Sequence, residues 1–193
     1  MTGAHVMTLH RSADVFVWRH PKPHAATVTG RCIGRTDVGV DRRKSKRLAH
    51  RLRAWARRAG SPPIVITSAL RRGADVGRWL ARWGWTHRID ARLSELDFGA
   101  WEGQTWDAIG ATAVGAWCDD FASLRAGGGE SVSELLARCA AFLADARDAP
   151  GACIVGHAGW ISAALWLQRA GASPPESLTW PRAVAYGKRV RLF

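Results

Sequence analysis

In three places an apolar run of the sequence ends in histidine or arginine side chains. Residues 15–18 lead to Arg19 and His20, residues 64–66 lead to Arg72, and residues 153–156 lead to His157. Guanidinium groups can neutralise the oxygens of a phosphoryl group. A neutral imidazole is a competent nucleophile near pH 7, because its reference pKa is about 6.5. These residue types therefore indicate a site for phosphoryl chemistry, provided that the fold brings them together.

The apolar runs themselves predict how these side chains are positioned. Each run is typical of a short buried strand, and Pro21 prevents the first from continuing as a paired strand. In open α/β sheets the loops at the carboxyl ends of the strands converge on a ligand-binding crevice. Ser68 is a candidate N-cap for the next helix, which places Arg72 in its first turn beside free N–H groups. Arg71 is expected to point elsewhere, since adjacent helical positions do not share a face.

The rest of the chain alternates between strand and helix signals. Capping-box spacing at Ser131 and Glu134 introduces the clearest helical stripe, which ends at Pro150. A helix after Asp41, a short strand within residues 83–90, a helix from His157 to Gly171 and an edge strand over residues 184–192 are also predicted, with an irregular helical segment over 105–126. We expect a three-layer α/β/α fold with a mostly parallel sheet.

Composition limits the classes of protein that this sequence can encode. The 193 residues suit one domain, and a hydrophobic fraction of 47% with mean hydropathy of −0.14 is ordinary for a globular protein. The formal charge of +12 fits either an anionic partner or a solvated, arginine-rich surface. Nine Lys or Arg residues lie within residues 42–58. We favour a solvated helix face there and rank nucleic acid last as a partner, because no recognition-helix signature is present.

Cysteines and the amino terminus indicate the cellular compartment. The four cysteines are scattered and include no Cys-x-x-Cys pair, so we expect neither a disulfide framework nor a zinc site. Residues 1–13 lack the apolar core of a signal peptide, and no apolar run approaches about 18 residues. We therefore expect a cytoplasmic protein with no membrane partner, a flexible arm over residues 1–13 and a single domain over 14–193.

Five motifs occur in the order found in one known family. The sequence resembles the histidine phosphatase superfamily, also called phosphoglycerate mutase-like, and within it the α-ribazole phosphatase branch, over residues 14 to about 160. The motifs are Arg19-His20, Ser68-x-Leu70-x-Arg72, Leu93-x-Glu95-x-x-x-Gly99-x-x-Glu102-Gly103, Gly128-Gly129-Glu130-Ser131 and Gly156-His157-x-Gly159. One such motif would be weak evidence, but five in register are hard to obtain by chance.

The resemblance implies a role for each candidate residue. His20 would accept the phosphoryl group, and Arg19 and Arg72 would bind its oxygens. His157 would add a hydrogen bond or a third positive charge. Glu95 would protonate the leaving alkoxide and then activate water as the carboxylate. No metal ion or other cofactor is required by this scheme.

Three acids compete for the general-acid role in the segment 95–102. The resemblance favours Glu95 over Asp97, and Glu102 is expected to be structural, binding backbone N–H groups of a loop. We expect His24, His50 and His87 to be structural as well.

Two positions depart from the family pattern. Pro21 stands where the family usually has Gly, which removes a backbone donor next to the nucleophile, and Gly73 stands where Ala is common. We expect substrate identity to be affected more than catalysis. Trp18, Trp101 and Trp160 adjoin motif residues, and we hypothesise that they line the pocket of an aromatic substrate.

The expected function is hydrolysis of a phosphorylated small molecule through a phosphohistidine. The resemblance suggests α-ribazole 5′-phosphate, in cobalamin assembly, as the substrate. The alternatives are a broad-specificity sugar-phosphate or nucleotide phosphatase and a module that binds phosphorylated ligands without turnover. A mutase is disfavoured, since the chain is shorter than the cofactor-dependent mutases. The sequence does not predict the oligomeric state.

Overall fold

A computed structural model describes residues 15–148, 151–171 and 173–192 of the chain. The predicted amino-terminal arm, residues 1–13, lies outside the described residues. Within them, no helix is both long enough and apolar enough to cross a membrane.

A five-stranded sheet forms the centre of the described structure. Its spatial order is β3, β2, β4, β1, β5, and the strands span Val15–Arg19 (β1), Ile64–Thr67 (β2), Thr86–Ile89 (β3), Cys153–Gly156 (β4) and Arg189–Leu192 (β5). All neighbours run parallel except β5, which pairs antiparallel with β1. The register aligns Arg19 with Gly156 and Thr67 with Val155. The residues that follow β1, β2 and β4 therefore leave the sheet at one edge, as the sequence predicted.

Helices cover both faces of this sheet, which confirms the three-layer α/β/α fold. On one face the strands pack with the helices Arg42–Ala59 (α2) and Arg71–Ala81 (α3) in a core that includes Trp18, Leu52 and Val76. On the other face they pack with the helices Val132–Asp148 (α6) and Ala158–Ala170 (α7) around Leu135 and Trp160. Alternating strand residues supply the two cores. The helices span Ala25–Val28 (α1), Arg42–Ala59 (α2), Arg71–Ala81 (α3), Trp106–Ile109 (α4), Ala111–Asp119 (α5), Val132–Asp148 (α6) and Ala158–Ala170 (α7).

Helix ends show which capping predictions were correct. The Asp41 carboxylate accepts hydrogen bonds from the N–H groups of Arg43 and Lys44, so Asp41 caps α2. The Glu134 carboxylate and the Ser131 hydroxyl bind each other's backbone N–H groups, which is the predicted capping box.

Two boundary predictions were wrong. Helix α3 begins at Arg71, and Leu70, not Ser68, is at its N-cap position. The Ser68 hydroxyl accepts the N–H of Leu70 at 3.3 Å, just before the helix, and contacts the ring of His157. The edge strand covers only Arg189–Leu192. Residues 184–188 instead turn across the end of β1, where the Lys188 carbonyl accepts the N–H of Arg19.

The four cysteines are unpaired thiols. Burial raises the pKa of Cys139 and Cys153 to about 12, and burial with the nearby Glu102 charge does the same for Cys32. These three side chains therefore behave as small apolar groups of the core.

Two glycines of α3 allow a matched test of packing. An added Cβ at Gly73 would have no atom nearer than 3.7 Å, whereas one at Gly77 would lie 2.3 Å from Nε2 of His87. We expect Gly73→Ala to raise the free energy of unfolding by about 0.5–1 kcal/mol, because alanine is the better helix former. Gly77→Ala should lower it by about 1–3 kcal/mol through overpacking. Urea denaturation of both variants checks this pair, and equal effects of one sign would contradict it.

Candidate active site

His20 lies at the carboxyl end of β1 with a defined tautomer. Its ring is buried, and Nδ1 lies 2.8 Å from the carbonyl oxygen of Pro21. A carbonyl can only accept, so Nδ1 carries the proton and Nε2 has the free lone pair. Burial, then the charge of Arg72, lowers the pKa of His20 well below its usual value. Proline keeps its carbonyl, so the exchange of Gly for Pro21 leaves this contact intact.

The guanidinium group of Arg19 lies against the ring of Tyr186. Its Cζ is 3.8 Å from the ring centroid, and Nη1 donates to the Val184 carbonyl at 2.6 Å. The Nε atom is buried without a hydrogen-bond partner. An unpartnered buried donor is costly, and an anion in the adjacent cavity would satisfy it.

Arg72 is buried in the first turn of α3, while the neighbouring Arg71 is exposed. Nη1 of Arg72 donates to the Thr36 carbonyl at 2.7 Å, and Nη2 donates to the Gly34 carbonyl. These bonds fix the guanidinium plane against the loop 21–39. Of the two adjacent arginines, the structure thus brings Arg72 and not Arg71 to the cavity.

His157 follows β4 and contacts the other candidates directly. Its Nδ1 accepts a hydrogen bond from Nε of Arg72 at 3.1 Å, so its proton lies on Nε2, which is 2.7 Å from Oγ of Ser68. Its ring centroid is 5.0 Å from that of His20. Burial, and then the Arg72 charge, lowers its pKa well below the usual value. This neutral ring agrees with a hydrogen-bonding role and not with a third positive charge.

The Glu95 carboxylate lies at the amino end of α7. It accepts the N–H groups of Gly159 at 3.1 Å, Trp160 at 3.2 Å and Leu96 at 3.1 Å. A Cβ at Gly159 would lie 2.6 Å from Oε1 of Glu95, so only glycine permits this approach. The carboxylate is thereby held in one orientation, at the wall of the cavity that His20 also lines.

The candidate residues line one cavity of about 450 Å³. Arg19, His20, Arg72 and Glu95 form its polar end, and the remainder is mostly apolar, with Arg31 and Ser177 among the other lining residues. His157 lies behind this end, in contact with Arg72. Within the described ranges, no group of three or more His, Cys, Asp and Glu side chains is arranged to hold a metal ion.

The family model of the histidine phosphatase superfamily (branch 1) matches residues 15–183. The chain belongs to this superfamily. The match includes Arg19, His20, Arg72, Glu95 and His157, and it ends one residue before Val184, whose carbonyl accepts from Arg19.

Individual relatives share the fold and part of the sequence. A glucosyl-3-phosphoglycerate phosphatase of Mycobacterium tuberculosis is 35% identical over an alignment of 118 residues, and the match covers 53% of this chain and 52% of the relative. The chain thus spans about half the length of the curated relatives it matches. A solved mycobacterial glucosyl-3-phosphoglycerate phosphatase has a TM-score of 0.70 and 25% identity, with 93% of this chain and 89% of the other covered.

The α-ribazole phosphatases are similar in fold. A structure described as a putative α-ribazole-5′-P phosphatase from Escherichia coli gives a TM-score of 0.75 at 20% identity, covering 94% of this chain and 90% of the other. At that identity the likeness concerns the fold alone.

Glu102 has the structural role that the sequence predicted. Its carboxylate accepts the N–H groups of Gly34, Arg35 and Thr36 at 2.6–3.1 Å, together with the Thr36 hydroxyl. Burial alone would raise the pKa of Glu102, but these hydrogen bonds outweigh it and the pKa is lowered. The carboxylate therefore holds the loop whose carbonyls orient Arg72.

An ion pair that the sequence analysis missed supports the loop of Glu95. The Glu130 carboxylate accepts Nε of Arg138 at 2.6 Å and Nη2 at 2.9 Å. Arg138 also donates to the carbonyls of Arg92, Ser94 and Glu95 at 2.6–3.1 Å. The sequence does contain a signal for this pair, since Glu130 lies in the Gly-Gly-Glu-Ser motif and Arg138 follows it eight residues later on a predicted helix.

The structure contradicts the hypothesis that Trp18, Trp101 and Trp160 line the cavity, and it places His50 and His87 outside the cavity. Trp18 and Trp160 are buried in the two cores, and neither they nor Trp101 line the cavity, so that hypothesis was wrong. His50 packs on a tryptophan ring and His87 bonds Thr67, both outside the cavity. The cavity contains other tryptophans, which lie in segments where the sequence shows no clear periodicity.

The two buried histidines of the site, His20 and His157, predict that the fold is sensitive to acid. Their native pKa values lie below the unfolded value of about 6.5, so the unfolded chain binds more protons as pH falls. The stabilisation is present above pH 6.5 and is lost between that pH and the lower native pKa values. We expect the free energy of unfolding to fall by up to about 1.4 kcal/mol per pH unit for each histidine. Urea denaturation between pH 7.5 and 5.5 tests this, and His157→Asn should flatten the profile. A profile for His157→Asn as steep as that of the wild type would contradict the prediction.

Proposed function

We propose that this protein is a metal-independent phosphomonoester hydrolase that works through a phosphohistidine at His20. The observation that carries the proposal is the free Nε2 of the buried, neutral His20 beside Arg19 and Arg72 in one cavity. Membership of the histidine phosphatase superfamily supports it. The proposal keeps the cytoplasmic location predicted from the sequence.

The first half-reaction transfers the phosphoryl group to the enzyme. Nε2 of His20 forms a bond to phosphorus as the bond from phosphorus to the ester oxygen breaks. Arg19 and Arg72 bind the non-bridging oxygens, whose charge they stabilise in the transition state. Glu95 gives its proton to the departing alkoxide, and the alcohol leaves.

The second half-reaction regenerates the enzyme. The Glu95 carboxylate takes a proton from water as the water oxygen bonds to phosphorus, and the bond from phosphorus to Nε2 breaks. Inorganic phosphate leaves, Glu95 is protonated again and His20 is neutral. Pro21 keeps the proton of His20 on Nδ1 throughout, since its carbonyl can only accept.

Glu95→Gln separates the acid role from simple binding. We expect hydrolysis of alkyl phosphates to fall by about 10²–10⁴-fold in kcat, because the alkoxide needs a proton. Phosphorylation by p-nitrophenyl phosphate, measured as the nitrophenol burst, should fall far less, since nitrophenolate leaves without one. Both assays contain a chelator, in which the wild-type rate should persist. Equal losses for both substrates, or a chelator-sensitive wild type, would contradict the mechanism.

The proposal also concerns which phosphate ester is the physiological substrate. The resemblance in sequence favours α-ribazole 5′-phosphate, a precursor in cobalamin assembly, and the curated relatives carry the name of glucosyl-3-phosphoglycerate phosphatase. Sugar phosphates and nucleotides are the remaining alternatives. Comparison of kcat/KM over one panel of these compounds ranks them.

A further inference from the structure

We propose, on the basis of the hydrolase function proposed above, that the alcohol part of the substrate is a hydrophobic group, an aryl or extended alkyl chain. This inference comes from the cavity wall, and it departs from the sugar esters named above, α-ribazole 5′-phosphate among them, which the sequence resemblance favours. The inference concerns the part of the cavity that lies beyond the phosphate end, which is Arg19, His20, Arg72 and Glu95.

Aromatic side chains are a prominent part of the wall in this part of the cavity. Five of them are Phe98, Trp106, Trp117, Phe121 and Trp180, and Tyr186 lies where the wall meets the phosphate end, against Arg19. Aliphatic residues such as Val132 and Leu135, which are each 1% exposed, complete the surface. A wall of this kind gains free energy from burying apolar area and offers nothing comparable to a hydroxylated ring.

Two polar side-chain atoms of this wall already have partners within the protein. Nη1 of Arg31 donates to the Gly103 carbonyl at 2.8 Å, and the Ser177 hydroxyl donates to the Cys118 carbonyl at 3.0 Å. The indole N–H of Trp117 is buried and has no partner. Hydroxyl groups placed against the carbon faces of these rings would lose hydrogen bonds to water without replacement.

The aromatic side chains of this wall pack against one another. The Trp117 ring centroid is 5.8 Å from that of Phe98 and 5.1 Å from that of Phe121, and Phe98 is 6.1 Å from Trp106. Rings that support one another in this way need little ordering when a ligand binds. The wall can therefore select a hydrophobic group by shape as well as by burial.

The mouth of the cavity is apolar too. Trp106 is 38% exposed and Tyr186 is 37% exposed, and both line the cavity. Leu178, next to the lining residue Ser177, is 97% exposed. Two of the four large hydrophobic side chains that are exposed within the described residues thus line this cavity, and a third, Leu178, adjoins a lining residue in the sequence. Exposed apolar surface around a cleft typically marks a binding site, so the hydrophobic group can extend outward.

A series of n-alkylphosphonates from propyl to octyl tests the proposal without turnover. Their C–P bond cannot be hydrolysed by this mechanism, and calorimetry gives the dissociation constant of each. A buried methylene contributes about 0.8 kcal/mol, so affinity should rise by about three- to fourfold per methylene. Inorganic phosphate should displace every member of the series. Affinity that is independent of chain length, or binding that phosphate does not displace, would overturn the proposal.

Hydrolysis provides the second measurement and separates the two proposals. Octyl phosphate and glucose 6-phosphate are both esters of primary alcohols, and we expect kcat/KM to favour octyl phosphate by at least about 100-fold. A preference for glucose 6-phosphate would overturn the hydrophobic-substrate proposal while leaving the hydrolase proposal intact. Absence of any turnover, with the chain-length dependence of phosphonate binding retained, would overturn the hydrolase proposal alone.

A matched pair of tryptophan variants tests whether the alkyl chain binds against the aromatic wall. Trp106 lies at the mouth, so Trp106→Ser should reduce the gain in affinity between the hexyl and octyl compounds while propylphosphonate binds as before. Trp79 lies on α3 among cationic side chains outside this cavity, and Trp79→Ser should leave the whole series unchanged. Equal effects of the two substitutions would contradict the assignment of this wall.

Discussion

We expect His20→Ala to lower kcat for every phosphomonoester by at least about 10⁴-fold, because the variant lacks the atom that forms the phosphoenzyme. The neighbouring groups cannot substitute for it. Both ring nitrogens of His157 are engaged, by Nε of Arg72 and by Ser68, and the Glu95 carboxylate is held by backbone N–H groups. Steady-state assays with p-nitrophenyl phosphate measure the loss.

His50→Ala is the control for this experiment. His50 packs on Trp83 with ring centroids 4.4 Å apart and does not line the cavity. The activity of His50→Ala should stay within about twofold of that of the wild type. Binding of inorganic phosphate to His20→Ala, measured by calorimetry, shows that Arg19 and Arg72 remain in place. Activity in His20→Ala above one hundredth of the wild-type value would refute the assignment of the nucleophile.

Arg138→Ala should produce the largest loss of stability. It leaves the carboxylate of Glu130 without its main partner, although this side chain is only 10% exposed. It also removes the donor to the carbonyls of Arg92, Ser94 and Glu95. Breaking a buried pair costs about 3–5 kcal/mol, and we expect a decrease of about 3 kcal/mol in the free energy of unfolding. Urea denaturation at pH 7.5 measures it.

Arg125→Ala is the matched control, since Arg125 pairs with Glu134 in an exposed geometry, with side chains 58% and 43% exposed. Its loss should be below about 1 kcal/mol. Rates of hydrolysis also distinguish Arg138→Ala from Arg125→Ala. Because Arg138 fixes the backbone that carries Glu95, Arg138→Ala should slow alkyl phosphates more than p-nitrophenyl phosphate. Similar unfolding free energies for the two variants would show that the pair at Glu130 contributes little.

The fold and the polar end of the site could be predicted because both depend on local signals. Strand signals followed by Arg19, Arg72 and His157 were enough, since parallel strands present their carboxyl ends at one edge. The Glu102 prediction was correct for a similar reason, as an acid among turn residues commonly binds backbone N–H groups. These inferences needed no knowledge of the loops.

The hydrophobic part of the cavity could not be predicted in this way. Trp18 was placed wrongly because neighbouring strand residues face opposite sides of the sheet, so proximity to Arg19 in sequence does not bring it to the cavity. Trp106, Trp117 and Trp180 come from short helices and irregular segments without strong periodicity. Ser68 was wrongly predicted to be the N-cap of α3. Its hydroxyl contacts His157, 89 positions away, and the sequence pattern does not show such a contact.

The central claim is tested most directly by trapping the phosphoenzyme. Wild-type protein is mixed with excess p-nitrophenyl phosphate, quenched in alkali within milliseconds and analysed by peptide mass spectrometry. We predict one phosphoryl group on the peptide that contains His20, stable in alkali and lost in acid. It should be absent in His20→Ala and should accumulate in Glu95→Gln, whose dephosphorylation is slow. Turnover without a phosphorylated peptide, or phosphate on any other residue, would contradict the account.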